Sequence, residues 1–418
     1  MADPARLRAD AAAIRAAAIA ACDPANLVVR GLAGRDAFDL AGIERVVVVG
    51  GGKAAAGMAA GVERALGEER LARHRVMGLV SVPAGSARPL AAIDVRETRP
   101  LGDNLPTAAV ERATREMLAI VGAVGPRDLV IAVLSGGGSA LLEATRQGVG
   151  LADMIALTRR LTAAGADIAA LNASRRGLSA VKGGGLARAC RAGRLLALVL
   201  SDVVGDDLEV IASGPCMPGD STDPPGAWTT PAGCVVRHLL VGSNATAVDA
   251  VAETARQIGY EVLVRHAAPG SPTQASADDV GRRLAGEGLA LVTASRVDGR
   301  PRAVVEGGES TVTLPGDHGV GGRNQQTVVA ALEATRARGG WPAELLLESL
   351  GTDGEDGPTA AAGGFIDAAV AAAAAGLDVA GARARRDAHP LLAAAGGLVV
   401  TGPTGTNVCD VRIVLAHP

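Results

Sequence analysis

The stretch VVVVGGGKAAAGMA, residues 46–59, sets four consecutive valines against three glycines, a lysine and an alanine-rich run. Four β-branched residues in a row read as a strand buried on both faces, and the alanines that follow read as a helix. A strand passing through a glycine turn into a helix opens a crossover unit, which commits the chain to an α/β fold with parallel strands. The rhythm recurs. Apolar runs at Gly78–Val82, Leu129–Leu134, Leu195–Leu200, Val235–Val241, Glu261–Val264 and Leu289–Thr293 alternate with Ala-rich helical segments, predicting largely parallel sheets. After about residue 300 the texture changes. AVVEGGESTVTLPG reads as two strands joined through a glycine pair and GLVVTGPTGTNVCDVRIVLAH as a closing hairpin, so a mixed sheet is expected there. A chain of 418 residues exceeds what one core serves. The Pro/Gly/Ser-rich segment 213–233 is the candidate crossing, giving domains at 1–235 and 236–418.

Charge and composition exclude several classes. The formal net charge is −3 and both signs are interspersed, and two Trp, one Tyr and two Phe cannot build stacking platforms. Nucleic acid is therefore not an expected partner. Five cysteines without a C-x-x-C pair read as reduced thiols of a cytoplasmic protein. The N-terminal apolar run is interrupted by Arg15 and flanked by Asp3, Asp10 and Asp23, which suits an amphipathic helix capped by Asp3 and not a signal peptide. No apolar stretch approaches the roughly 20 residues that span a bilayer, so no membrane association is expected. A homodimer is the expected assembly, as the commonest outcome.

Five glycine-rich turns, the third of them with a counterpart later in the chain, carry the chemistry. In the first, Gly50, Gly52 and Ala55 satisfy the dinucleotide spacing, but GLVSVPAG offers no acid to hold a ribose, and Lys53 is followed by Ala54 where a Walker loop needs Ser or Thr. What remains is a receptor for phosphate or carboxylate, made of the Gly51 and Gly52 backbone beside the Lys53 ammonium. The second turn is Ser135, Gly136, Gly137, Gly138 and Ser139, where the glycines admit a ligand to the backbone and the hydroxyls donate. The third brings Asp202, Asp206 and Asp207 to a strand end, and GTDGEDGP repeats the pattern with Asp353, Glu355 and Asp356. Carboxylates there suit Mg²⁺. The fourth places Glu309 between strands and Arg323 with Asn324 at a helix start. The last, TGPTGTN, offers Thr404, Thr406 and Asn407. Together they point to a highly anionic ligand with a metal. No G-x-S-x-G elbow or H-E-x-x-H helix is present, and only His318 of the six histidines lies in a glycine loop.

Taken in order, GGGKAAAGMA, LSGGGSALL, LSDVVGDDLEVIASGP, GGES-TVT with GGRNQQ, GTDGEDGPTAAAGG and TGPTGTNV resemble the class II glycerate 2-kinase family, an N-terminal DUF4147 domain followed by a MOFRL domain. The resemblance spans residues 46–409. It implies two α/β domains, the first Rossmann-like with a mainly parallel sheet and the second with a mixed sheet. It also implies ATP-dependent phosphorylation of D-glycerate to 2-phosphoglycerate with Mg²⁺. Lys53 and Arg323 fall on the family's lysine and arginine associated with activity. Gly51, Gly52, Ser135, Gly136, Gly137, Gly138, Ser139, Glu309, Asn324, Thr406 and Asn407 are the expected nucleotide-side contacts, and Asp202, Asp206 and Asp353 the expected metal-side carboxylates. Either Asp202 or Asp353 is equally placed as the base for the acceptor hydroxyl. Arg99 stands where the family shows histidine, Gly177 replaces another histidine and Gly185 an arginine. These departures leave the acceptor open to a related small hydroxy or sugar acid. Two competing readings are an NAD(P)H-dependent hydroxypyruvate reductase and a catalytically silent binding protein.

Overall fold

The computed structural model describes residues 4–34, 38–100, 105–163, 174–218 and 227–418. The chain divides into two compact units. The first is Asp23–Gly242 with Gly405–Asn407, and the second is the N-terminal segment through Cys22 with Ser243–Thr404 and Val408–Pro418. Neither unit is one continuous piece of chain, so a single cut such as 235/236 does not describe the division.

In the first unit, β1 (Arg45–Gly51), β2 (Met77–Pro83), β3 (Ile93–Arg99), β4 (Asp128–Ser135), β5 (Arg194–Leu200), β6 (Ala227–Thr229) and β7 (Val235–Gly242) form one sheet, ordered β3-β2-β1-β4-β5-β7-β6. Every neighbouring pair is parallel except β6 with β7. The valines of β1 are fully buried between helices on both faces, as their unbroken apolar run requires. The helix Ala108–Gly122 shows how sequence sets one such cover. Thr107 caps it by accepting from the Val110 N–H, and Val110, Ala113, Met117 and Val121 recur at three- and four-residue spacing on its buried face. Strand order reverses between β1 and β4. Beyond the carboxyl ends of strands at such a reversal, open α/β sheets bind ligands.

The second unit holds β8 (Glu261–Arg265), β9 (Arg302–Gly308), β10 (Leu345–Gly351), β11 (Gly363–Ile366), β12 (Leu398–Val399) and β13 (Asp410–Ala416), ordered β12-β11-β10-β13-β9-β8. Only β8 and β9 run parallel among the described pairs, so the sheet is mixed. Three local expectations fail here. Leu289–Thr293 is not a strand but the last part of the helix Ala277–Asp298, whose buried residues Val280, Leu284, Gly288, Val292 and Ser295 keep helical spacing past the apolar run. After β9, Thr311 forms only an isolated bridge to Ser276, so there is no second strand. Nor is there a closing hairpin, because β12 pairs with β11 while β13 lies between β10 and β9.

The N-terminal helix Pro4–Ala21 packs in this unit, burying Leu7, Ile14 and Ala18. Arg15 donates to Glu348 at 2.6 Å, Arg8 pairs with Asp367, and Asp10 accepts from the Tyr260 hydroxyl at 2.8 Å. The proposed Asp3 cap lies outside the described residues. Among these, no single helix is long and apolar enough to cross a membrane.

Candidate functional site

In the first unit the two glycine turns are locked together at the β1/β4 reversal. The Lys53 N–H donates to the Gly136 carbonyl at 2.8 Å and the Ala54 N–H to Ser135 Oγ at 3.0 Å. Gly52 has φ +146°, and a Cβ there would sit 2.2 Å from Ser135 Oγ, so only glycine lets the strands converge this closely. Gly137 begins the short helix Gly138–Leu141 from a left-handed conformation, φ 75°. Lys53, half-buried, runs its stem past Gly137, where an added Cβ would lie 3.4 Å from Lys53 Cγ.

Asp202 follows β5, the next strand of the same sheet. Its carboxylate lies over Gly136, where a Cβ would meet Asp202 Oδ2 at 2.2 Å and Asn407 Nδ2 at 2.6 Å. The Asn407 amide donates to Asp202 at 3.2 Å, so Asn407 joins this unit although it lies near the C-terminus of the chain. Buried Thr406 precedes it. Asp206 instead closes a turn by donating its N–H to Val203 O, in a left-handed conformation with φ 55°. Among the described residues no group of three or more His, Cys, Asp or Glu could hold a metal by itself. Mg²⁺ asks for less. It takes one or two carboxylates and fills its shell with water and phosphate oxygens, which the hard oxygens of Asp202 beside an open glycine backbone fit. Gly136→Ala should therefore leave folding nearly intact, since the obstructing atoms are side-chain tips, while displacing Asp202 and Asn407. We expect a melting temperature within a few degrees of wild type and at least an order-of-magnitude loss of turnover, measured on one preparation.

Behind the second turn lies a charged cluster that sequence reading missed. Lys182 and Glu143 are fully buried and paired at 2.7 Å, and Glu143 also accepts from Ser179 Oγ at 2.6 Å. Lys182 Nζ and Arg175 Nη2 both donate to the Ser139 carbonyl, at 2.8 and 2.9 Å. Ser139 Oγ meets Ser213 Oγ at 2.8 Å. Burial pushes the Lys182 ammonium down to about 8, with Glu143 opposing and Arg175 reinforcing the fall. The unfolded chain therefore binds a proton that the native lysine releases between about pH 8 and the ordinary value of 10.5. Stability should rise with pH across that window, and the rise should vanish in Lys182→Met, as followed by urea denaturation.

The second unit gathers its own charges at one end of the central strands β10, β13 and β9, where Gly308 and Gly351 flank Asp410 in register. Arg323 opens the helix Arg323–Arg336. Its Nε and Nη2 donate to Asp410 at 2.7 and 2.8 Å, and Nη1 lies 3.0 Å from Glu309. Burial works against the Arg323 charge, but Asp410 and Glu309 outweigh it and hold its pKa above normal. Asn324 donates to Asp410 at 3.1 Å and receives from Ser349 Oγ at 2.6 Å. Asp356 caps the helix by accepting the Asn324 and Gln325 N–H groups at 3.0 and 2.8 Å, and burial pushes its carboxyl up to about 6. Burial also raises Glu309, with Arg323 opposing and Asp410 and Asp353 adding to the rise. Asp353 turns its carboxylate onto the Glu355 N–H at 3.1 Å, and Thr404 donates to Thr352 O at 2.6 Å. Glu309, Arg323, Asn324 and Asp353 thus share one neighbourhood. Asp410 was the missed member. Its signal is Asp-x-Arg opening an otherwise apolar strand.

The family profile described as "Domain of unknown function (DUF4147)" matches residues 10–232, and that of the "MOFRL family" matches 302–410. A protein of Thermotoga maritima named D-glycerate 2-kinase is 34% identical over 89% of this chain and 91% of its own length. The chain belongs to the class II glycerate 2-kinase family. A crystal structure of glycerate kinase from Thermotoga maritima superposes with a TM-score of 0.82 at 32% identity, covering 98% of this chain and 99% of that one. Another family relative, from Agrobacterium vitis and 36% identical over 89% of this chain and 99% of its own length, is named putative hydroxypyruvate reductase.

The positions at which this chain departs from the family pattern have distinct surroundings. Arg99 ends β3 and is buried. At Gly177 an added Cβ would meet nothing within 4 Å, so packing does not require glycine there. At Gly185 a Cβ would strike the Ala180 carbonyl at 2.2 Å, so this backbone admits no side chain.

Proposed function

We propose that this chain is an ATP- and Mg²⁺-dependent kinase that phosphorylates the 2-hydroxyl of D-glycerate, or of a closely related small hydroxy acid. The observation that carries the reading is the match, over nine-tenths of both chains, to a relative named D-glycerate 2-kinase. The chemistry of the described residues supports it. Phosphoryl transfer asks for alignment and charge compensation more than for a strong nucleophile, and the glycine turns supply cations, backbone donors and carboxylates. In this reading Gly51, Gly52 and the Ser135–Ser139 turn receive phosphate oxygens, and Lys53 compensates charge on the group in transfer. Asp202, with Asp206 and Asp353 as further candidates, would hold the metal, which when bound would offset phosphate charge. Arg323 contributes a fixed cation whose ionisation Asp410 and Glu309 secure, and Asn324, Glu309, Thr406 and Asn407 position polar ligand groups. The protein works in this reading as a cytoplasmic homodimer, for which five buried free thiols and the general prevalence of two-fold assemblies speak.

The name carried by the Agrobacterium relative favours a reductase as the second reading. Against it, β2 closes through Ser81, bonded to Thr98 at 2.6 Å, Val82 and Pro83, with no acid at the strand end where a dinucleotide fold would present one to the ribose. Release of ADP from ATP, Mg²⁺ and D-glycerate, with the product carbon fixed by phosphorus NMR, tests the kinase. Oxidation of NADH or NADPH by hydroxypyruvate without ADP release would replace it with the reductase.

A further inference from the structure

The cluster behind the Ser135–Ser139 turn carries more positive charge than its one carboxylate can match. The Arg175 side chain is 8% exposed, and Lys182 and Glu143 are fully buried. Glu143 spends one oxygen on Lys182 and the other on Ser179, and stands 4.0 Å from the nearest Arg175 nitrogen. Among the described residues two cations thus face one anion, and a buried surplus charge is unfavourable until a counter-charge arrives. Lysine can relieve it by losing a proton, which accords with the depressed Lys182 ammonium. Arginine cannot. Arg175 has also kept hydrogen-bonding capacity in reserve, for its Nη2 is engaged by Ser139 O while its buried Nε has no acceptor among the described residues. A planar fork with a vacant donor beside a glycine turn is the shape that grips an oxyanion.

We propose that Arg175, backed by Lys182 and Glu143, forms an oxyanion subsite of the first unit that binds a carboxylate or phosphate group through the Arg175 guanidinium. Glu143 fixes Lys182, and Lys182 shares the Ser139 carbonyl with Arg175, so the two buried partners hold the arginine in place while leaving its charge unspent. Two oxyanions are possible sources: the carboxylate of the acceptor acid, an arm that rests on the function proposed above, and a phosphate of the nucleotide.

Calorimetric titration of the full chain with D-glycerate, ATP and inorganic phosphate, for wild type and Arg175→Gln, tests this. At least a tenfold loss of affinity is expected for the oxyanion that occupies the subsite, with Arg175→Lys losing less because it keeps the charge. Loss for D-glycerate alone assigns the acceptor carboxylate; loss for ATP or inorganic phosphate assigns the phosphate. Equal affinities of variant and wild type for all three probes overturn the subsite, as does wild type that binds none of them. If Arg175→Gln does not fold, Arg175→Lys decides, and affinities within twofold of wild type for all three overturn it. The titrations need no turnover, so the two readings fail separately. Weakened phosphate binding in a chain that cannot phosphorylate glycerate would sink the kinase and keep the subsite, whereas full kinase activity with unchanged binding would do the reverse.

Discussion

Lys53→Met should lower kcat/KM for phosphoryl transfer roughly 10²–10³-fold, the usual cost of removing one fixed group that compensates transition-state charge, while the folded state stays nearly as stable. The two effects separate because the lysine's backbone and stem contacts belong to atoms that methionine retains. Its N–H holds the Gly136 carbonyl, and its stem passes Gly137. Met keeps the backbone donor and the unbranched stem and removes only the ammonium. A half-buried residue changed in this way should shift stability by no more than about 1 kcal/mol. The loss should appear in kcat more than in the KM for ATP if the ammonium acts on developing charge, and in both if it holds the ground state equally. Turnover within threefold of wild type would remove Lys53 from the chemistry.

The parts of this site legible in sequence are those that local rules control. A glycine run between a buried strand and a helix has one physical reading, so the turns at Gly50–Gly52 and Gly136–Gly138 were placed from their letters, and the parallel order of the first sheet followed from the crossover rhythm. Contacts built by distant segments were not legible. Nothing local in GTNV says that Asn407 reaches Asp202, some two hundred residues earlier, nor that Lys182 and Glu143 meet beneath Ser139. The strand expected at Leu289–Thr293 failed for a related reason. Its apolar run matches either period, and the flanking Val280, Leu284 and Gly288, buried against neighbours, decided for helix. The N-terminal helix shows the same limit at the level of the unit. Its amphipathic pattern was readable, but its place in the second unit is set by Arg15 with Glu348 and Asp10 with Tyr260.

Asp410→Asn should be the most damaging single isosteric change in the second unit. Asp410 is fully buried and accepts two bonds from Arg323 and one from Asn324, and Arg412, also fully buried, stands 3.7 Å away. An asparagine of the same shape exchanges an anion for a dipole and turns an NH₂ group toward guanidinium donors. Breaking a buried ion pair from one side costs about 3–5 kcal/mol because the surviving charge is stranded. Here Glu309 still faces Arg323 and Glu306 still faces Arg412 at 3.1 Å, and Arg323 is one-third exposed, so about 3 kcal/mol is the better expectation. A change of that size should move the denaturation midpoint clearly, and turnover should fall with it as Arg323 loses the fork that aims it. Combining Asp410→Asn with Arg323→Gln removes the stranded cation, so the double variant should be more stable than Asp410→Asn alone. If the double variant is instead less stable by the full sum of the single losses, the two side chains are not coupled and Asp410 does not position Arg323.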